Sequence, residues 1–154
     1  MTLFPYTTLF RSQCPACAAT HPVLKKVIAE YGDKVRFVVR DFPLQMHENA
    51  FLAAQAAQAA NAQGKFFEYV ELLYNNQNSL DAASLKEFAT KIGLDRKRFD
   101  AELDAGKYAD EVRKDMADGE NYHVHSTPTI FVNGVKVRRL SAESFRKAIE
   151  RAIR

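Results

Sequence analysis

The two cysteines of the chain, Cys14 and Cys17, are separated by two residues and are its only thiols. One turn of helix brings sulfurs at this spacing within bonding distance, so the pair can alternate between a dithiol and a disulfide. If Cys14 lies at a helix N-terminus, exposed backbone N–H groups and the helix dipole stabilise its thiolate, which is the nucleophilic form. The spacing therefore indicates thiol–disulfide chemistry.

Two other uses of the cysteine pair have to be weighed. A structural disulfide across so short a loop would remove little entropy from the unfolded chain. A zinc site needs about four ligands, and the candidates are His21, four residues after Cys17, and the distant His123 and His125. No second Cys-x-x-Cys or His-x3-His completes a ligand set. Redox chemistry is favoured, with a structural disulfide and a metal site as open alternatives.

The size and composition of the chain restrict its class. Its 154 residues predict one domain, or one domain with an insertion. Hydrophobic residues make up 47% and charged residues 27%, which is typical of a soluble globular protein. The net charge of +3 is too small to indicate nucleic-acid binding, and the basic C-terminal residues have the spacing of a solvated helix face. No apolar run approaches the roughly 20 residues of a membrane span.

The N-terminal segment has an unusual sequence. Residues 2–12 read TLFPYTTLFRS, and a back-translation of this whole stretch resembles a widely used DNA sequencing adapter. We hypothesise that residues 1–12 are an artefactual segment and that the authentic sequence begins near Gln13. Residues 6–10 are apolar enough to mimic a first strand. Sequencing the gene upstream of Gln13 tests this hypothesis, because a continuous authentic reading frame there would contradict it.

The first predicted elements are a helix and a strand. Apolar residues at helical spacing predict a helix over residues 14–31, with Gly32 at its end. Pro15 suits the first helical position, whereas Pro22 lies in the interior and is expected to kink the helix. The β-rich residues 35–39 predict a strand.

A long helical region follows. Helices are predicted over residues 48–63, 65–75, 81–92, 95–105 and 107–118. Asp81 and Asp95 are the expected N-caps of two of these helices, and Gly119 is the expected end of the last one. The region over residues 46–123 is too long for a single crossover, so we interpret it as a helical insertion.

The C-terminal part returns to a β-rich pattern. Residues 127–132 predict a strand, Asn133-Gly134 is the strongest short hairpin signal, and residues 135–138 predict the partner strand. Ser141 is the expected N-cap of an amphipathic final helix. This order of elements predicts an α/β fold with a mixed sheet.

Four features coincide in this pattern: Cys-Pro-Ala-Cys opens a helix, Pro22 follows the second cysteine by five residues, a helical block separates the two halves, and Thr127-Pro128 opens a late hairpin. Together they resemble the DsbA-like thiol:disulfide oxidoreductases of the thioredoxin-fold superfamily. The resemblance covers about residues 13–154. It implies a thioredoxin-like fold with a mixed central sheet and an inserted helical subdomain. The thioredoxin-like domain would comprise residues 13–45 and 124–154, and the insertion residues 46–123.

The resemblance also implies roles for matching residues. Cys14 would be the exposed nucleophile and Cys17 the buried resolving thiol. Pro128 would be a cis-proline facing the cysteines, and the backbone just before it would pair with a bound peptide as an added strand. Substrate contacts are implied for Pro15, Ala16, Thr127 and Pro128. Family members carry an acidic residue in the strand before the cysteines, but the matching position falls near Thr8, so the sequence assigns no proton-relay carboxylate.

The function implied is that of an enzyme, a protein dithiol–disulfide oxidoreductase. We expect an oxidant located in the periplasm or otherwise outside the cytoplasm, because disulfide-forming enzymes belong in oxidising compartments. Its partners would be protein or peptide thiols and disulfides and a redox partner, with no nucleic acid and no membrane span. The redox-active Cys14–Cys17 disulfide would need no cofactor and no metal. A reductase or isomerase on the same fold, and a non-enzymatic domain with a structural disulfide or metal-binding pair, are the alternatives.

Overall fold

The computed structural model of the protein describes residues 6–10, 12–43 and 49–154. The strands are β1 (Tyr6–Phe10), β2 (Phe37–Asp41), β3 (Thr129–Val132) and β4 (Val135–Lys136). The helices are α1 (Pro15–Tyr31), α2 (Ala50–Asn61), α3 (Phe66–Asn75), α4 (Ala82–Lys91), α5 (Arg96–Asp104), α6 (Ala109–Asn121) and α7 (Ala142–Ala152), with a 3₁₀ turn at Gly32–Lys34.

The sheet of the described residues has four strands in the order β2-β1-β3-β4. β1 runs parallel to β2 and antiparallel to β3, and β3 forms an antiparallel hairpin with β4. This mixed sheet, with its helices, confirms the predicted thioredoxin-like α/β fold. β1, over residues 6–10, lies inside this sheet, between β2 and β3. The strand predicted over residues 35–39 begins two residues later, because the register with β1 pairs Tyr6 with Phe37.

Helix α1 connects the first two strands, with Cys14 at its N-cap position and Cys17 in its first turn. It runs from Pro15 to Tyr31 without interruption, although Pro22 lies inside it. Because proline has no N–H, the carbonyl one turn earlier loses its helical donor there. The helix ends at Gly32, whose φ of 51° lies in the left-handed region that glycine adopts without strain. The predicted helix and its end are therefore confirmed.

Helices α2 to α5 pack through small and aromatic side chains. The stripe of small residues on α2 is buried, and Ala53, Ala56 and Ala60 are completely so. Asp81 and Asp95 cap α4 and α5 as predicted, each accepting a hydrogen bond from a backbone N–H three residues on. The predicted boundary at residues 45–46 lies outside the described residues. The division of the chain into a thioredoxin-like domain and an insertion stays a prediction.

The end of α6 differs from the prediction. The helix continues through Gly119, which is buried, to Asn121, so the expected stop at Gly119 is wrong. The left-handed residue is His123, with φ 54°. The N–H groups of His123 and Val124 donate to the carbonyls of Glu120 and Gly119, both at 2.9 Å, which is the paired bonding of a Schellman motif. A histidine therefore provides the left-handed residue that we assigned to glycine.

The C-terminal hairpin and helix follow their sequence signals. Asn133 and Gly134 both have positive φ, 46° and 80°, as a type I′ turn requires. Ser141 accepts a hydrogen bond from the N–H of Ser144 and caps α7. The partner strand is shorter than predicted and ends at Lys136. The hairpin holds the start of β3 beside the N-terminus of α1, where the candidate site lies.

Candidate active site

Cys14 occupies the N-cap position of α1. Its backbone is extended, with φ −90° and ψ 116°, and Pro15 follows at the first helical position. The Cys14 carbonyl accepts the first helical hydrogen bond, from the N–H of Ala18 at 3.1 Å. This geometry places the Cys14 thiol at the positive end of the helix dipole, which favours its thiolate. The sequence-based expectation of a helix beginning at the cysteine pair therefore agrees with the structure.

The Cys14 side chain is buried, not exposed as expected. Only 4% of its surface is accessible, and its Sγ donates a hydrogen bond to the carbonyl of Thr127 at 3.4 Å. The loop that carries Thr127 covers the sulfur, which explains the difference, since sequence spacing does not show how close this loop comes. Pro15 and Ala16, the residues between the cysteines, are exposed.

Cys17 lies one turn further along α1 and is completely inaccessible. It is near Tyr74 of α3, whose pKa is raised well above its ordinary value. Burial of the phenol is the main cause, and the negative charges of Cys17, Asp41 and Cys14 add to it. Tyr74 is therefore within electrostatic range of both sulfurs and of a carboxyl group on the neighbouring strand.

The loop before β3 completes the surroundings of the cysteines. The peptide bond between Thr127 and Pro128 is cis, and Pro128 is buried. The Thr129 hydroxyl donates to the carbonyl of Ser126 at 2.7 Å, which ties the two sides of this bend together. The Thr127 Oγ1 is buried and has no hydrogen-bond partner among the described residues. The structure thus brings Cys14 and Thr127 together across 113 positions of sequence.

A glutamine that the sequence analysis missed anchors the loop before Cys14. Gln77, in the connection between α3 and α4, donates from Nε2 to the carbonyl of Ser12 at 2.8 Å. This bond fixes the backbone two residues before the nucleophile candidate and links it to the helical region. Nothing in the polar loop around Gln77 distinguishes this residue in the sequence.

A buried acidic cluster behind the site was also missed. Asp41 accepts a hydrogen bond from Gln58 Nε2 at 2.6 Å, and its backbone N–H donates to Asp115 Oδ2 at 3.0 Å. Arg40 forms a 2.5 Å ion pair with the other oxygen of Asp115. The pKa of Asp41 is raised to about 7. Burial is the main cause, and the negative charges of Asp115 and Glu111 add to it against the opposing effects of Gln58 and Arg40. The sequence signal was an acidic residue at the end of a predicted strand.

The histidines occupy varied positions. His21 is half-buried and packs against Tyr74 with ring centroids 5.1 Å apart, and burial lowers its pKa. His123 and His125 are exposed in the loop before the cis-proline. His47 lies outside the described residues. The role of His21 visible in the structure is packing beside the cysteine-bearing helix.

The described residues lack two features that mark other classes of protein. Across residues 6–10, 12–43 and 49–154, no helix is long and apolar enough to cross a membrane. In the same part of the chain, no three histidine, cysteine or acidic side chains are grouped so that they could hold a metal ion.

Comparison with known proteins places the chain in a family. A family profile described as "Thioredoxin" matches residues 7–151. The fold is that of DsbA-like thioredoxin-fold proteins, and the chain belongs to the thioredoxin family. Oxidised BdbD from Bacillus subtilis superposes with a TM-score of 0.82 at 19% identity, over 97% of this chain and 86% of that one. A thioredoxin-like oxidoreductase from Silicibacter pomeroyi DSS-3 superposes with a TM-score of 0.84 at 23% identity, over 96% of this chain and 85% of that one. For the oxidoreductase DsbA from Xylella fastidiosa the TM-score is 0.78 at 20% identity, over 97% of this chain and 83% of that one.

Curated relatives share more sequence but are much longer. The Na(+)/H(+) antiporter NhaA 1 of Mycobacterium sp. (strain KMS) is 39% identical over 125 residues, which are 79% of this chain and 20% of the antiporter. The Na(+)/H(+) antiporter NhaA of Herminiimonas arsenicoxydans is 33% identical over 138 residues, 90% of this chain and 21% of the antiporter. The chain thus spans about a fifth of the length of these relatives.

Proposed function

We propose that Cys14 and Cys17 exchange disulfides with protein or peptide substrates, and that the protein acts as an oxidant of substrate thiols. The observation that carries this proposal is the position of Cys14 at the start of α1, with its Sγ 3.4 Å from the carbonyl of Thr127. A nucleophile at a helix N-terminus and a backbone acceptor beside it are what disulfide exchange with an extended peptide needs. The family and fold support disulfide exchange in general.

The proposed reaction begins with the Cys14–Cys17 disulfide. A substrate thiolate attacks Cys14 Sγ, and Cys17 leaves as a thiolate. A second substrate thiolate then attacks the substrate sulfur of the mixed disulfide, so that the substrate disulfide forms and Cys14 leaves. Two electrons pass from the substrate to the cysteine pair, and a redox partner removes them afterwards. In the reverse direction Cys14 attacks a substrate disulfide and Cys17 resolves the intermediate.

The substrate backbone is proposed to lie along the segment before Pro128. Thr127 offers its carbonyl and a buried hydroxyl without a partner in the described part of the chain. A buried polar atom of this kind calls for an explanation, and a bound peptide would supply the missing partner. The exposed Pro15 and Ala16 would form the opposite side of the contact and add no charge.

The most direct test is alkylation of the reduced protein at about pH 5–6, well below the ordinary pKa of about 8.5 for a thiol. We expect Cys14 to be labelled at least about 10-fold faster than a cysteine in an unstructured peptide, because only a stabilised thiolate reacts at this pH. Mass mapping identifies the labelled cysteine, and Cys14→Ser is the matched control. Labelling of Cys14 no faster than the peptide would refute the activated nucleophile.

The direction of exchange needs a separate measurement. The redox potential of the pair against glutathione distinguishes an oxidant from a reductase. We expect a potential well above the roughly −270 mV of thioredoxin, since a stabilised thiolate makes the disulfide more oxidising. A value near that of thioredoxin would reject the oxidant direction and leave a reductase on the same fold. An oxidant would work in a compartment outside the cytoplasm, where disulfides persist.

A further inference from the structure

A cleft between β4 and α7 has no part in the proposed disulfide exchange. It has a volume of about 570 Å³, which lies within the range of clefts that hold ligands. β4 is an edge strand of the sheet that the structure describes. The loop that contacts Cys14 leads into the start of β3, whereas the cleft is lined by Val132 at the end of that strand. The cleft is therefore a separate place from the cysteine site.

The sides of this cleft are basic. The sequence pattern predicts a solvated helix face for the C-terminal cations, but in the structure five lysine and arginine side chains line one cleft, and its lining has no acidic residue. The five are Lys136 on β4, Arg138 and Arg139 in the connection that follows, and Lys147 and Arg151 on α7. Their five positive charges exceed the net charge of +3 of the whole chain. We call this feature the basic cleft.

Most cations of the basic cleft have no acidic partner in the part of the chain that the structure describes. Lys147 pairs with Glu143 at 2.6 Å, but the ion pairs of the described residues include none of the other four. Arg146 of the same helix, which lies outside the cleft, donates two hydrogen bonds to Glu30 at 2.6 and 2.7 Å. Cations held close together without carboxylates repel one another, and a bound anion would relieve this repulsion.

The base of the cleft is apolar. Val132 and Val137 are buried there, and Ala148 and Ala152 of α7 are half-buried. Val135 also lines the cleft and is 70% exposed, so it offers an apolar surface that a partner could cover. The cleft thus combines an apolar base with basic sides, and a complementary ligand carries both apolar and acidic groups.

We propose that the basic cleft binds an extended acidic segment of a partner protein, in which apolar side chains alternate with carboxylates. The carboxylates would pair with the cations, and the apolar side chains would cover Val135 and the base. The concave shape favours a polypeptide over an anionic membrane, because a flat bilayer reaches only the rim of a cleft. A lysine on an edge strand also discourages pairing with other chains, but that role requires no cations on α7. The proposal does not depend on the cysteine chemistry.

Fluorescence anisotropy of a fluorescein-labelled peptide measures this binding. The probe is a short peptide of alternating Glu and Leu, and two comparison peptides carry Lys in place of Glu or Ser in place of Leu. We expect the Glu-Leu peptide to bind at least about 10-fold more tightly than the Lys-Leu peptide and about 5-fold more tightly than the Glu-Ser peptide. Raising NaCl from about 50 to about 500 mM should weaken its binding about 10-fold, because salt screens exposed charge pairs.

A pair of matched variants tests the position of the site. Arg138→Gln/Arg151→Gln removes one cation from each side of the cleft and should weaken binding of the Glu-Leu peptide about 10-fold. The control Lys97→Gln/Lys114→Gln removes the same charge from exposed lysines of α5 and α6 and should change the affinity less than about 2-fold. All four side chains are exposed, so both variants should fold, and circular dichroism checks this. Equal weakening by both variants would show attraction to the net charge alone and would overturn the proposal.

Two further measurements decide between this partner and others. Backbone amide chemical shifts should change at residues 135–139 and 147–152 on addition of the Glu-Leu peptide. Changes centred on Cys14 instead would overturn the cleft as the binding site and leave the proposed function intact. Cosedimentation with phosphatidylcholine vesicles containing about 30% phosphatidylglycerol tests the membrane alternative. Vesicle binding that Arg138→Gln/Arg151→Gln abolishes, without any binding of the peptide, would assign the cleft to a lipid surface and overturn the proposal.

Discussion

Asp41 makes a thermodynamic prediction that does not depend on catalysis. In the folded protein its pKa is raised to about 7, chiefly by burial, whereas an aspartate in an unfolded chain has a pKa of about 3.9. The folded state therefore holds the proton more tightly than the unfolded state. The contribution of the protonated carboxyl group to stability is complete below about pH 4 and is lost as the pH rises through about 7.

The size of this effect follows from the difference between the two pKa values. A difference of about three units corresponds to about 4 kcal/mol in the free energy of unfolding, of which about 2 to 3 kcal/mol is lost between pH 5 and pH 8. Asp41→Asn cannot ionise and still offers an acceptor to Gln58. We expect the variant to lack this loss, so that its stability relative to the unsubstituted protein improves by about 2 to 3 kcal/mol over the same pH range.

Urea unfolding of both proteins at the two pH values, under reducing conditions, measures the effect. The comparison between proteins matters more than either curve, because other carboxylates such as Glu30 and Glu71, whose pKa values are lowered by Arg146 and Lys25, affect both proteins equally. Any destabilisation by the introduced amide that does not depend on pH also cancels, because only the change of the stability difference between the two pH values is compared. A stability difference between the two proteins that is the same at both pH values would refute the reasoning.

Three substitutions test the packing and local geometry by denaturant unfolding. Tyr69→Phe removes the 2.8 Å hydrogen bond to the carbonyl of Leu85 and should lower the free energy of unfolding by about 1 kcal/mol. The control Tyr122→Phe, at a residue that is 70% exposed, should leave the free energy of unfolding unchanged. Equal effects of the two substitutions would contradict this prediction. Asp81→Ala removes the N-cap of α4 and should cost about 1 kcal/mol, and an unchanged unfolding midpoint would show that the cap is dispensable. Gly134→Ala forces an L-residue into φ 80° and should cost about 1 to 2 kcal/mol, and a neutral effect would argue against the turn geometry.

The elements that the sequence predicted well are those with local causes. The caps at Asp81, Asp95 and Ser141 and the turn at Asn133-Gly134 depend on a few neighbouring residues, so the sequence pattern contains the information. The end of α6 shows the limit of this reasoning. A glycine can adopt the left-handed region but does not have to. Gly119 is buried within the helix and keeps helical geometry, whereas His123 adopts the left-handed conformation that ends it.

The parts of the candidate site that lie within a sequence motif could be predicted, whereas the parts formed by contacts between distant residues could not. The cysteine pair and Thr127-Pro128 could be placed together only through the resemblance to a family. The burial of Cys14 depends on how closely the Thr127 loop approaches, which no local pattern encodes. The hydrogen bond from Gln58 to Asp41 joins residues that are 17 positions apart in the sequence, and the bond from Gln77 to Ser12 joins residues that are 65 positions apart. The importance of these glutamines therefore appears only in three dimensions.

The hydrogen bond from Cys14 Sγ to the Thr127 carbonyl exists only while the sulfur carries a hydrogen. In the disulfide, in the mixed disulfide and in the thiolate there is no S–H group, and the carbonyl loses this donor. The main-chain acceptor before the cis-proline is thus occupied in the dithiol and vacated in the disulfide. If substrates pair with this backbone, the oxidised protein offers them one acceptor that the reduced protein withholds. The same two electrons that change the cysteines would then change the affinity of the segment before Pro128 for a substrate, so that a peptide is released as it becomes oxidised.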